Sequence, residues 1–151
     1  MKLFKTKESG NSCQLFNEKE ELVGELLFGF IAALNDRIKI GEEVYKIKYP
    51  GFLLNGINVF DQSGKLVVRT DSSKNRIFYY GNHTEVYTYQ YKGWLSKQLN
   101  LYNSNDKLLV SLRYRQTFFK MIYNAEIDED FNNTIGILTF LNFYTRALSS
   151  G

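Results

Sequence analysis

Phe131-Asn-Asn-Thr-Ile135-Gly-Ile-Leu-Thr-Phe140-Leu-Asn-Phe-Tyr-Thr145-Arg-Ala-Leu148 is the stretch on which the fold turns. Its Ile135, Ile137, Leu138, Phe140, Leu141, Phe143, Tyr144, Ala147 and Leu148 go most of the way round a helical wheel instead of forming one stripe. A helix that is apolar on all sides belongs either in a bilayer or at the centre of a globule. A membrane span needs about 20 predominantly apolar residues. This stretch is shorter, and Asn142, Thr145 and Arg146 interrupt it. The pattern therefore predicts a helix over 132–148 that is enclosed by protein. Whatever encloses it must come from upstream.

Upstream the chain repeats itself. Tyr45-Lys-Ile-Lys-Tyr-Pro-Gly51-Phe-Leu-Leu-Asn-Gly-Ile57-Asn-Val-Phe60-Asp61 aligns without a gap on Tyr87-Thr-Tyr-Gln-Tyr-Lys-Gly93-Trp-Leu-Ser-Lys-Gln-Leu99-Asn-Leu-Tyr102-Asn103, 42 residues later. An earlier copy lies 44 residues before the first of these, where Leu15-Phe16-Asn17 matches Val59-Phe60-Asp61. Leu22-Val23, Leu66-Val67 and Leu108-Leu109 continue the three copies. Fixed-period self-similarity of this kind marks a fold assembled from equivalent units. Each unit reads as four strands: near 2–6, 13–17, 21–28 and 36–41; then 43–49, 56–61, 65–70 and 75–80; then 84–91, 98–103, 107–115 and 119–127. Turn residues Asp61-Gln-Ser-Gly64 and Asn103-Ser-Asn-Asp106 join the middle strands of the second and third units.

Alternation assigns the faces. Leu108, Val110, Leu112 and Tyr114 oppose Ser111, Arg113 and Arg115. Tyr45, Ile47 and Tyr49 oppose Lys46 and Lys48, and Ile38 and Ile40 oppose Arg37 and Lys39. Leu22, Gly24, Leu26 and Phe28 share a face. One apolar and one polar face is the signature of an antiparallel sheet with water on one side. Closing that sheet removes its edges, and closing it round a helix gives both apolar surfaces a partner.

Three features together resemble the tubby C-terminal-like superfamily, which includes the LURP-one-related proteins and the phospholipid scramblases. They are the strand pair Ile57-Asn-Val-Phe60-Asp61 to Lys65-Leu-Val67, the Tyr45-Lys-Ile-Lys-Tyr49 segment before it, and the apolar helix that closes the chain after an acidic stretch. The resemblance covers essentially the whole chain and rests on the order of these parts. It implies a single domain over 1–151: a twelve-stranded antiparallel β-barrel, three repeats of four strands, closed around a C-terminal apolar α-helix. The chain is short for the family, which implies trimmed loops. A β-trefoil has the same count of strands and often binds sugars, but it has no use for the helix at 131–148. A lipid-carrier barrel would keep its cavity open.

Composition narrows the chemistry. Phe (12) and Tyr (11) are frequent and Pro occurs once, which favours strands over disorder. The lone Cys13 has no disulfide partner, and the lone His83 sits in a turn beside Gly81 and Asn82. Gly-rich phosphate loops, clusters of Cys or His, and nucleophile elbows are all missing. The expectation is a protein that is not an enzyme and needs no cofactor. The opening residues carry no apolar run of signal-peptide length, so the expected location is cytoplasmic, peripheral to a membrane where one is bound. Asp128, Asp130 and Asn132 partly fit a calcium loop, and scramblases carry an acidic segment in the corresponding place. Asn133 and Thr139 stand where such a loop needs Gly and a bidentate Glu. The preferred account is a helix N-terminus capped by Asn132 or Asn133 and complemented by Asp128, Glu129 and Asp130.

Charge is distributed unevenly. Residues 64–120 hold ten Lys/Arg against three Asp/Glu, while 1–63 hold eight against nine and 121–151 one against four. Lys46, Lys48, Lys74, Arg76, Arg113 and Arg115, with Lys92 and Lys97, are the cationic candidates. Tubby proteins bind phosphoinositides through cations on the outer barrel surface, so the resemblance implies an anionic membrane lipid as partner. The alternative is a structural or protein-interaction domain with an unknown protein partner and no small ligand. Nucleic acid is not expected, because the repeat tyrosines alternate to the apolar side, and Trp94 reads as a core plug at a loop end.

Overall fold

A computed structural model of the chain describes residues 1–29, 35–49, 56–93 and 97–150, without the side chains of Ser149 and Ser150. Twelve strands precede one helix. The first repeat supplies β1 (Lys2–Ser9), β2 (Ser12–Phe16), β3 (Leu22–Leu27) and β4 (Arg37–Ile40). The second supplies β5 (Glu43–Lys48), β6 (Asn58–Phe60), β7 (Leu66–Asp71) and β8 (Arg76–Tyr80). The third supplies β9 (Thr84–Lys92), β10 (Gln98–Tyr102), β11 (Leu108–Gln116) and β12 (Met121–Ile127), and α1 (Thr134–Ser150) follows. Each strand pairs antiparallel with its sequence neighbours, and β1 pairs with β12 to close the barrel. The predicted architecture is therefore the observed one. The helix lies two residues later than expected, and the last strand starts at Met121 instead of 119.

The barrel encloses α1. All residues from Ile135 to Asn142 are buried, and so are Tyr144 and Thr145 beyond the half-buried Phe143. Inward rows meet the helix from every side. Leu99, Leu112, Ala125 and Phe4 are cross-strand neighbours through β10, β11, β12 and β1, and Cys13, Leu26, Ile38 and Tyr45 run through β2 to β5. At Gly24 a Cβ would meet Leu138 Cδ1 at 2.6 Å, so β3 comes closest to the helix where the chain has no side chain. Two threonines of the helix bond its own backbone. Thr139 Oγ1 donates to the Ile135 carbonyl (2.7 Å) and Thr145 Oγ1 to that of Asn142 (2.9 Å).

The repeats are equivalent down to their turns. Asn17, Asp61 and Asn103 each accept two backbone N–H bonds on a side-chain oxygen, from residues two and four positions on. The third residue after each (Glu20, Gly64, Asp106) has positive φ. Just before each turn the register slips, between Leu15 and Phe16, Val59 and Phe60, and Leu101 and Tyr102.

Those bulges correct the predicted faces. An extra residue on one strand reverses the alternation beyond it. Leu22, expected inward with Gly24 and Leu26, pairs with Phe16 and is 54% exposed, while Val23 packs against the core. Val67 and Leu109 take the same inward place in the other repeats, so Leu108 is not on the core face with Val110 and Leu112. The predicted Gly51-Phe-Leu segment apart from its flanks, and the proposed Trp94 plug, lie outside the described residues.

Candidate functional site

Register settles which of the six predicted cations lie together. Lys46 and Lys48 point outward from β5, Arg76 from β8, and Lys74 lies in the turn between β7 and β8. Arg113 and Arg115 point outward from β11. In a closed ring of twelve, β5 and β11 are six strands apart in either direction. The two groups occupy opposite walls and do not form one patch.

The walls also differ in how their cations are held. On the β5–β8 wall Lys48 sits over Phe60 (5.4 Å to the ring centre), and Arg69 and Arg76 both sit over Phe78 (4.7 and 5.4 Å). Arg76 also pairs with Asp71 at 3.6 Å, and Arg69 Nε donates to Tyr80 Oη at 3.3 Å. These cations are partly spent on aromatic and acidic neighbours. On the opposite wall Arg113 is opposite Asn124, which is opposite Lys5, so Arg113 and Lys5 stand two strands apart, about 10 Å. Arg113, Arg115, Lys5 and the tip residue Lys120 are exposed, and none of them is in an ion pair among the described residues. From Lys107 to Ala125 the sequence has no carboxylate. Lys5 and Lys120 were missed by sequence reasoning because one lies outside the basic middle segment and the other beside Phe119, and only the barrel closure brings β1 next to β12.

Asn133, which follows the acidic stretch, caps α1. Asn133 Oδ1 accepts from Gly136 N–H (3.0 Å), the bond expected of an N-cap, and Gly136 has no Cβ to crowd it. Asn133 Nδ2 in turn donates to Tyr87 Oη at 3.2 Å, and that hydroxyl donates to Glu85. The carboxylates do less at the helix end than expected. Asp128 Oδ2 accepts from Asp130 N–H (3.2 Å) and faces Lys107 Nζ (3.3 Å), while Glu129 takes the Met1 amine (3.2 Å). Among the described residues no three His, Cys, Asp or Glu side chains are grouped to hold a metal ion.

At the other end of the helix is a polar cluster that the sequence did not disclose. Asp36, from the β3–β4 connection, is 1% exposed and receives Arg146 Nη2 at 2.5 Å and Nε at 2.8 Å. Gly29 N–H (2.8 Å) and Tyr49 Oη (2.6 Å) also donate to its carboxylate, and Asn142 Nδ2 donates to Tyr49 Oη (3.3 Å). The guanidinium stacks over Phe28 at 5.0 Å. Burial, then the bond to Asp36, pushes the Tyr49 hydroxyl up to about 12, and Asp36 holds the Arg146 guanidinium above its ordinary range against the opposing effect of burial. Four donated bonds satisfy the carboxylate, so the cluster reads as a structural clamp. Beside it a cavity of about 200 Å³ is lined by Glu8, Cys13, Phe28, Tyr123, Thr145 and Arg146. Burial pushes the Cys13 thiol up to about 12, which leaves it protonated and unreactive. His83 stands 79% exposed, 3.6 Å from Glu85, in the expected turn.

Comparison with known proteins adds little to this geometry. No protein-family model and no curated protein sequence matches the chain. An X-ray structure of a protein from Arabidopsis thaliana aligns over 95% of this chain and 91% of its own, at 14% identity and a TM-score of 0.37. Among the described residues no helix is long and apolar enough to cross a membrane.

Proposed function

We propose that the protein is a non-enzymatic binding module of the tubby-like kind, and that it docks on anionic membrane surfaces from the cytoplasmic side. The observation that carries this reading is the β11–β12–β1 wall. Arg113, Arg115, Lys120 and Lys5 stand there exposed, without ion-pair partners among the described residues, and no carboxylate falls between Lys107 and Ala125, Glu126 standing at the far end of β12. The strand order and the central helix, which the tubby-like resemblance implies, support the kinship. Each cation near an anionic surface contributes about 1 kcal/mol, and the attraction falls off within a Debye length of about 8 Å at physiological salt. Neutralising two of them costs roughly 2 kcal/mol, about thirtyfold in partition.

The opposite walls provide the control. In co-sedimentation with vesicles, binding is expected only when anionic lipid is present, and it should weaken with salt. Arg113→Glu with Arg115→Glu should abolish it, whereas Lys46→Glu with Lys48→Glu should leave it within a few-fold of the native chain. Equal losses in the two double variants would mean that only net charge matters. No sedimentation at low salt would favour a protein-interaction domain, with the cation–aromatic wall of Lys48, Phe60, Arg69 and Phe78 as its surface.

A further inference from the structure

The β11–β12 hairpin outruns the barrel. The pairing of β11 with β10 ends at Leu112–Leu99, and that of β12 with β1 ends at Asn124–Lys5. Their ladder continues through Arg113–Asn124, Tyr114–Tyr123 and Arg115–Ile122 to Gln116–Met121, with the Thr6 hydroxyl of β1 still bonded to the Tyr123 backbone (2.9 and 3.3 Å). Thr117 N–H closes the tip on the Lys120 carbonyl at 2.8 Å, and Thr117 Oγ1 donates to the same oxygen at 3.0 Å. At about 3.3 Å per residue, the tip stands roughly 13 Å or more beyond the last residue paired on both sides.

At that tip are Phe118 and Phe119, 93% and 88% exposed. They touch each other edge to face, with ring centres 4.9 Å apart, and are the most exposed large apolar side chains among the described residues. Two phenyl rings held in water on an ordered two-stranded ribbon are costly unless something covers them. The choice of cover follows from what surrounds them. Lys120 adjoins the pair, Arg115 and Arg113 follow on one face of the ribbon, and no carboxylate occurs from Leu108 through the tip to Ala125. Apolar tip and cationic shank match, in order, the acyl boundary and the phosphate layer of an anionic bilayer.

We propose that Phe118 and Phe119 form a membrane-inserting finger, which enters the interfacial layer of an anionic bilayer while Lys120, Arg115 and Arg113 engage lipid phosphates. This rests on the surface-binding reading above and adds to it a mode, insertion, and a site, the β11–β12 tip. It implies that binding has an apolar part that salt does not screen.

The test uses vesicles of phosphatidylcholine with about one-quarter phosphatidylserine. Phe118→Ser with Phe119→Ser should lower partition about tenfold or more at low salt and remove whatever binding the native chain retains at about 0.5 M salt. The fold is checked by circular dichroism. Insertion is read directly with Phe119→Cys carrying an environment-sensitive fluorophore. Cys13 is 0% exposed, so the new thiol is the one that reacts. Its emission should shift to the blue on anionic vesicles and be quenched by a lipid-phase quencher. Salt-sensitive binding that survives the serine variant, with an unshifted and unquenched probe, overturns the finger and leaves surface docking standing. Absence of vesicle binding by the native chain overturns both. Concentration-dependent dimerisation that disappears in the serine variant, without lipid quenching, assigns the pair to self-association and also overturns the finger.

Discussion

Asp36 and Arg146 are 110 residues apart in sequence and share two hydrogen bonds in the folded chain. The carboxylate is almost fully enclosed, so its removal leaves a guanidinium beside Tyr49 with no countercharge. Asp36→Ala is expected to cost about 3–5 kcal/mol in urea unfolding, while Asp36→Leu with Arg146→Met should recover much of that loss, because a pair replaced by apolar groups leaves no buried charge behind. A single substitution that costs less than about 1 kcal/mol would contradict the clamp. In the sequence Arg146 reads only as an interruption of an apolar helix. Its meaning depends on Asp36, and no local pattern links a helix residue to a loop residue that distant. The six cations had the same difficulty. Their outward orientation was legible from alternation, but their separation onto opposite walls depends on strand order and closure.

The helix and its cap show what was legible at the level of elements. An apolar run without a polar face, with Asn132-Asn133 ahead of it, announces both burial and start, and Asn133 takes the cap. Asn133→Ala is expected to destabilise by about 1 kcal/mol in thermal or urea melts, with Asn133→Asp close to native. Leu141→Asp places an unpaired carboxylate at a position 1% exposed inside the barrel. It is expected to abolish cooperative unfolding and soluble expression, and a soluble, cooperatively melting Leu141→Asp protein would show that the helix is not enclosed. Strands were legible wherever alternation held. It fails at the bulges, because one extra residue on β3, Val23, stands opposite the Leu15–Phe16 step and turns Leu22 out, and nothing in those residue types marks the insertion. Phe119 falls inside the strand expected over 119–127, whereas the observed strand starts at Met121, because the tip of a turn is set by where pairing stops.

The molecule as a whole is a container for phenols. Burial pushes Tyr89 and Tyr123 up to about 12, as it does Tyr49 and the Cys13 thiol. In the unfolded chain these groups lose protons near 8.5 for cysteine and 10 for tyrosine. Between those values and about 12 the unfolded state therefore binds fewer protons than the folded one, and stability falls as pH rises. The melting temperature is expected to hold to about pH 9 and to drop with increasing slope from pH 10 to 12. A flat profile to pH 11 would contradict the burial of these hydroxyls. The enclosed helix has one more consequence, which concerns the order of synthesis. All twelve strands leave the ribosome before residues 134–150, yet those residues fill the space the strands enclose, and β1 must wait for β12 to close the ring. A nascent chain stalled before the helix would have every wall and no centre. Such a species exposes apolar inner faces and unpaired edges, the surfaces that chaperones bind. The pairing of first strand with last also makes folding slow, because the closing contacts are non-local. Synthesis thus delivers the helix that makes the strands stable only after all twelve of them.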